Sequence, residues 1–282
     1  MATFDKRDYL IFCKLVSEKI IMKKLLLVFG IVFLTGCAGP PIDNRYTAMS
    51  QDSRVQFLIL HYTAGDFPGS LKILTEGPVS SHYLVDIDPP TVYRLVSENR
   101  RAFHAGVSYW KGHSPLNASS IGIEIVNQGY IDTPEGRAWV DYPKAQIDVV
   151  IALVKKIVAR HGIKPDHILG HSDIAPQRKT DPGPRFPWKR LADEGLIVWP
   201  DAAQVAQKQR AYEPQLPDIE WFQKKLAQHG FAVPLNAELD EATRNVLSAF
   251  QMKYRPARFD GTPDAETAAL LEVLTSAVDG AK

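Results

Sequence analysis

Apolar positions along this chain fall into two rhythms. Between residues 55 and 126 they come in short runs, 55–62, 81–87, 91–96 and 120–126, whose length and β-branched content predict strands. The first run is almost continuously apolar from Val55 to Leu60, as expected of a strand covered on both faces. The last alternates: Ile121, Ile123 and Ile125 share one face, which puts Glu124 on the other. From 143 to 161 the period becomes helical. Ile147, Val150, Ile151, Val154, Ile157 and Val158 form one stripe, Pro143 suits the first turn, and Gly162 suits the stop. A short apolar strand, 167–169, follows. These elements predict an α/β fold, a mixed central β-sheet flanked by helices.

Past Trp199 the composition shifts. Residues 200–217 are rich in Gln and Ala and carry Pro200, Pro214 and Pro217, which reads as a linker (201–217) or a helix bordering one. Helical patterns at 219–228, 240–253 and 265–276 then predict a small C-terminal three-helix domain, residues 218–282.

The N-terminal end carries a different signal. Met22-Lys23-Lys24 is followed by the apolar run LLLVFGIVFL and by Leu34-Thr35-Gly36-Cys37, the charge, length and cut-site order of a secretory signal peptide. The run is too short for a comfortable membrane-spanning helix of about 20 residues. Leu34-Thr35-Gly36-Cys37 resembles the lipobox of bacterial lipoproteins. That resemblance implies an acylated Cys37 as first mature residue, anchored in a lipid bilayer. Ala38 follows, not the Asp of an inner-membrane retention signal, which implies an outer membrane lipoprotein facing the periplasm. Residues 1–21 do not suit a signal and read as an upstream extension. Residues 38–52, polar and with paired prolines, read as a tether reaching at most about 50 Å.

With 282 residues and 45% hydrophobic content the chain can fill a core. Its 33 basic and 32 acidic residues leave a net charge of +1, without the basic excess that nucleic-acid binding needs. The two cysteines, Cys13 and Cys37, are not at metal-site spacing, and a mature chain starting at Cys37 could form no internal disulfide.

Candidate chemistry is densest in GHSDIAPQRKTDPGP, residues 170–184, which holds His171, Asp173, Lys179 and Asp181 in a proline-punctuated loop after a strand. His61 ends the first strand. A hydrolytic zinc site needs three protein ligands and an open position, and two imidazoles with one carboxylate are a well-attested set. His61, His171 and one Asp could therefore bind metal, with Glu124 as base and Lys179 as oxyanion partner. Chemistry alone weighs Asp173 and Asp181 equally.

Leu60-His61-Tyr62-Thr63-Ala64, Ser80-Ser81-His82-Tyr83-Leu84-Val85, Phe103-His104-Ala105-Gly106, Ser120-Ile121-Gly122-Ile123-Glu124 and the 170–184 segment resemble the type-2 zinc N-acetylmuramoyl-L-alanine amidases, related in fold to peptidoglycan recognition proteins. The likeness spans about 53–200, read as a zinc amidase domain. It implies one Zn²⁺ per chain held by His61, His171 and Asp181, Glu124 as catalytic carboxylate, Lys179 steadying the oxyanion, and peptidoglycan and muropeptides as substrate. Asp173 is then left to hydrogen-bond within its loop. His82 and His104 are read as structural or substrate-binding. Trp221-Phe222-Gln223, Thr243, Phe250-Gln251 and Asp260-Gly261 resemble a peptidoglycan-binding helical module, the alternative being a cap that merely packs. A monomer is expected. Two rival functions stay open: a wall-recognition protein without catalysis, and a zinc peptidase cutting within the stem peptide.

Overall fold

The computed structural model describes residue 40 and residues 42–279; Cys37 and the signal-like segment lie outside the described residues. The chain divides into two compact units, Met1–Gln51 and Asp52–Lys282. In the first, residues 42–51 form no helix or strand.

In the second unit the strands are β1 (Phe57–Tyr62), β2 (Tyr83–Val85), β3 (Val92–Arg94), β4 (Ser120–Ile125), β5 (Tyr130–Thr133), β6 (Gly136–Trp139) and β7 (Ile168–Gly170). The helices are α1 (Phe67–Glu76), α2 (Lys144–His161), α3 (His171–Ile174), α4 (Trp188–Asp193), α5 (Ala202–Tyr212), α6 (Ile219–His229), α7 (Glu241–Tyr254) and α8 (Ala265–Asp279). Five strands form a mixed sheet in the order β3-β2-β4-β1-β7. β1 runs parallel to β4 and β7, β2 runs parallel to β4, and β3 is antiparallel to β2. β5 and β6 make a separate hairpin.

The apolar run of β1 follows from cover on both of its faces. Leu58 and Leu60 enter one core with Ile121, Ile123 and Ile125 of β4 and with the Ile147, Val150, Val154 and Ile157 stripe of α2. Burying each such side chain is worth roughly 1.5–3 kcal/mol. Gly162 ends α2 at φ 66°, the left-handed conformation that favours glycine. Phe57 and Ile59, on the other face, enter a second core. It is completed by Leu169 and Ile174 beside them and by Phe222, Leu226, Phe250 and Leu271 of the C-terminal helices. One core thus spans the sheet and the helical domain.

Residues 202–212, within the stretch read as a linker or a bordering helix, form α5, whose Val205 and Tyr212 pack on this second core. Helices α5, α6 and α7 start alike: Asp201, Asp218 and Asp240 each accept a backbone N–H three residues on, the N-cap device. Most polar residues that carry the module resemblance serve the fold. Gln223, fully buried, donates to Thr243 and to the carbonyl of Glu238, and Gln251 donates to Thr267 and the carbonyl of Thr262. Helix α1 has no counterpart among the elements the pattern predicts. Asp66 caps it, Pro68 sits in its first turn, and Leu74 packs beside Leu84 and Val126.

Candidate metal centre and active site

The register of the sheet assembles the site. His61, next to last in β1, lies directly opposite Glu124 of β4, and Gly170 of β7 is opposite Leu60, so the chain leaving β7 enters α3 with His171 beside His61. Strand β4 divides its labour by alternation. Its isoleucines fill the core, while Ser120, Gly122 and Glu124 face the site. The loop after α3 returns Asp181, tied back by a hydrogen bond from Ser172 N–H to the Asp181 carbonyl at 2.8 Å.

Three buried atoms meet: His61 Nδ1 and Asp181 Oδ2 at 2.9 Å, His61 Nδ1 and His171 Nδ1 at 3.0 Å, and His171 Nδ1 and Asp181 Oδ2 at 3.1 Å. The surrounding hydrogen bonds fix which atoms carry protons. Ser120 Oγ donates to the Leu116 carbonyl at 2.7 Å, so it accepts from His104 Nε2 at 3.2 Å. His104 Nδ1 is then an acceptor and takes the proton of His61 Nε2 at 3.1 Å. His171 Nε2 lies 3.2 Å from the Ala105 carbonyl, which can only accept, and 3.3 Å from Arg178 Nη2, whose two protons go to the Ala105 and Val107 carbonyls at shorter distances, so that nitrogen is also protonated. Both Nδ1 atoms therefore present lone pairs, and with Asp181 Oδ2 they make three acceptors facing one another. Such a cluster is a socket for a cation, and among the described residues it is the one His/Cys/Asp/Glu group with that capacity.

Electrostatics agree. Burial, reinforced by His171, pulls the His61 imidazole down to about 4, leaving it neutral at pH 7. Burial alone would raise the Asp181 carboxyl, but His171 and His61 outweigh it and hold it below the usual carboxylate range. Burial and the nearby Asp181 push Glu124 well above that range, against the pull of Lys179.

A cleft of about 370 Å³ opens over the three acceptors, and Glu124, Lys179 and Arg178 stand on its wall. Lys179 is exposed and forms no ion pair among the described residues. His104 reaches the cleft, but its ring nitrogens are committed to His61 and Ser120, so it backs a metal-facing histidine. Of the two roles read for His82, structural or substrate-binding, its contacts are structural. It is fully buried, its Nδ1 accepting from Gly122 N–H and its Nε2 donating to the Arg100 carbonyl, which leaves no atom for a ligand. Asp173 turns away from the cluster and accepts from Gly170 N–H at 2.9 Å.

Two contributors escaped the sequence reading. Arg178 ties the Lys179 loop to the irregular segment bearing His104, donating to the Ala105 carbonyl at 2.5 Å and to the Val107 carbonyl at 2.7 Å. Gly122 leaves room for the His104 ring. Arg178 sits inside the densest motif, which was a signal; Gly122 acts through a histidine 18 residues earlier, which was not.

Comparison with known proteins places this geometry. A family model described as N-acetylmuramoyl-L-alanine amidase matches residues 51–184, and one described as a putative peptidoglycan binding domain matches residues 215–271. N-acetylmuramoyl-L-alanine amidase AmiD of Escherichia coli is 41% identical over 264 residues, covering 88% of this chain and 95% of that protein. The solved complex of AmiD with anhydro-N-acetylmuramic acid-L-Ala-D-gamma-Glu-L-Lys superposes with a TM-score of 0.79 at 40% identity, covering 86% of this chain and 96% of that one. AmpDH3 of Pseudomonas aeruginosa, solved with anhydromuramic pentapeptide, gives a TM-score of 0.78 at 38% identity, covering 86% and 99%. The chain belongs to the N-acetylmuramoyl-L-alanine amidase family.

Proposed function

We propose that the chain is a zinc-dependent N-acetylmuramoyl-L-alanine amidase of cell-wall turnover, hydrolysing the amide between the lactyl group of N-acetylmuramic acid and L-Ala of peptidoglycan stem peptides. The observation that carries the reading is the triangle of His61, His171 and Asp181 acceptors at the floor of a cleft that Glu124 and Lys179 also line. Tetrahedral zinc with ligands at about 2.0–2.1 Å sets them about 3.3–3.4 Å apart, close to the separations here, and the N, N, O donor set suits that ion. Held by His61, His171 and Asp181, zinc would supply an acidified water and a Lewis acid for the scissile carbonyl.

Glu124 takes a proton from the attacking water as its oxygen bonds to the carbonyl carbon. The carboxyl then gives that proton to the L-Ala nitrogen as the C–N bond breaks. Lys179 faces the carbonyl oxygen on which negative charge develops. The products are a lactyl carboxylate and a stem peptide with a free L-Ala amine. Residues 53–200 supply this chemistry, and residues 218–282 grip the wall. Export through the signal at 22–37 and acylation of Cys37 would place a monomeric enzyme on the periplasmic face of the outer membrane.

Mass spectrometry of digests of purified wall tests the reading. Stem peptides beginning at a free L-Ala are expected. Muramoyl-L-Ala left on the glycan, which a cut within the stem produces, would refute it. Intact mass of the membrane-fraction protein checks the anchor, an acylated chain beginning at Cys37 being expected.

A further inference from the structure

Helix α7 belongs to the C-terminal domain, yet both of its ends reach the segment that carries His171, Lys179 and Asp181. Near its start, the Ala242 carbonyl accepts from Gln177 Nε2 at 3.0 Å, and Asn245 Nδ2 donates to Gln177 Oε1 at 3.0 Å. Gln177 stands two residues before Lys179. Near its end, Lys253 Nζ donates to Asp173 Oδ2 at 2.8 Å and to the Ile168 carbonyl at 3.2 Å, and lies 4.4 Å from the centre of the Trp188 ring. Asp173 Oδ2 also accepts from Gly170 N–H, so the ammonium is fastened to the turn that delivers His171. A third contact lies farther out, where Phe259, in the loop after α7, meets Trp139 of β6 edge-on at 5.9 Å, and Trp139 in turn meets Tyr130 of the cleft wall at 5.3 Å.

Lys253 and Asp173 are almost wholly buried, at 6% and 1% side-chain exposure. Buried ion pairs are weak sources of stability, because desolvation offsets most of their attraction. An apolar pair would cover the sheet as well. What a charged pair adds is direction, since one ammonium satisfies one carboxylate oxygen and one carbonyl in a fixed geometry. A helix rises about 1.5 Å per residue, so Ala242 and Lys253 are about 16 Å apart on a rigid rod. That rod holds both flanks of the metal-binding and oxyanion segment.

We infer that α7 is a positioning brace for the metal centre, with Lys253 as its principal positioning residue. The C-terminal domain thereby sets the geometry of catalysis as well as gripping wall. The inference deepens the amidase reading and rests on it for its kinetic arm only.

The test uses the full chain carrying Asp173→Asn with Lys253→Met, which removes both buried charges together and leaves neither stranded. Readouts are the rate of zinc loss to a chromogenic chelator, and kcat and KM on a soluble muropeptide too small to need the wall grip. Groups that orient metal ligands are worth about 10–100-fold in metal affinity or activity. We expect zinc loss to quicken and kcat to fall by at least about tenfold, with KM within about twofold and circular dichroism unchanged. Zinc loss and kcat both within twofold of the parent, in a folded variant, overturn the brace. If that variant does not fold, Asn245→Ala, at an exposed contact, decides by the same readouts. It should shift both by about threefold, the worth of one ordinary hydrogen bond, and no shift overturns the brace. A parent enzyme that binds zinc but does not cleave muropeptide refutes the amidase reading, and the zinc-loss arm still judges α7.

Discussion

Gly122→Ala probes the packing behind the metal centre. A Cβ built at Gly122 falls 2.5 Å from His104 Cγ, 2.6 Å from Nδ1 and 2.7 Å from Cδ2, where carbon contacts normally settle at about 3.5–4.0 Å. The ring has no free retreat, since it is buried and hydrogen-bonded to Ser120 on one side and His61 on the other. Backbone strain plays no part, because φ at Gly122 is not positive. On conformational entropy alone, Ala would stabilise by about 0.4–1 kcal/mol. Overpacking of this kind costs about 1–3 kcal/mol, so the expected net loss is about 1–2 kcal/mol. For a unit of this size that is a fall in Tm of about 2–8 °C. A displaced His104 also releases the proton of His61 Nε2, and zinc affinity should drop about tenfold or more. Thermal melting and chelator competition measure the two effects. A double-mutant cycle isolates their cause: in a His104→Ala background, Gly122→Ala should cost nothing. An equal cost in both backgrounds would refute the argument.

Glu124→Gln should keep zinc yet lose about 10²–10⁴-fold in rate, whereas Asp181→Ala should arrive depleted of zinc; metal analysis beside muropeptide turnover separates them. A metal-free Glu124→Gln would overturn that division of roles. Chelation should abolish hydrolysis while circular dichroism holds, since the sheet core does not depend on the metal; full activity in metal-free enzyme is the contrary result. At the far end of the sheet, burial alone would raise the Glu98 carboxyl, but bonds from Arg160, Tyr83 and His161 bring it to about 2 against an ordinary 4.5. Its contribution is therefore present above pH 4.5 and lost as pH falls toward 2, so the Tm gap between parent and Glu98→Gln should close over that window. A gap that stays constant with pH contradicts this.

Period and spacing carried the mixed sheet, helix α2 and the three C-terminal helices, because each depends on a stripe of neighbouring side chains. Helix α1 was missed although Asp66, Pro68 and the positions of Phe67, Leu71 and Leu74 mark it, since ten residues give a weak period. The balance between Asp173 and Asp181 shows where local chemistry runs out. Both follow His171, and what turns Asp173 away is Lys253, 80 residues later. His104 likewise stays open between a structural and a substrate-binding role in the sequence, because its partners lie on other elements: His61 on β1 and Ser120 on β4. Residues whose role is set by a distant partner look unassigned until the chain is folded.

The shared second core limits how this protein can be recombined. Its two halves are Phe57, Ile59 and Leu169 on the sheet and Phe222, Leu226 and Phe250 on the helices, and the stretch at 200–217 joins them without separating them. A chimera that kept the sheet and borrowed helices from elsewhere would need a graft shaped to those three side chains, or it would expose an apolar face and aggregate. A cut at 200–217 meets the same obstacle. New wall preferences would therefore have to be written onto the outer surface of the existing helices.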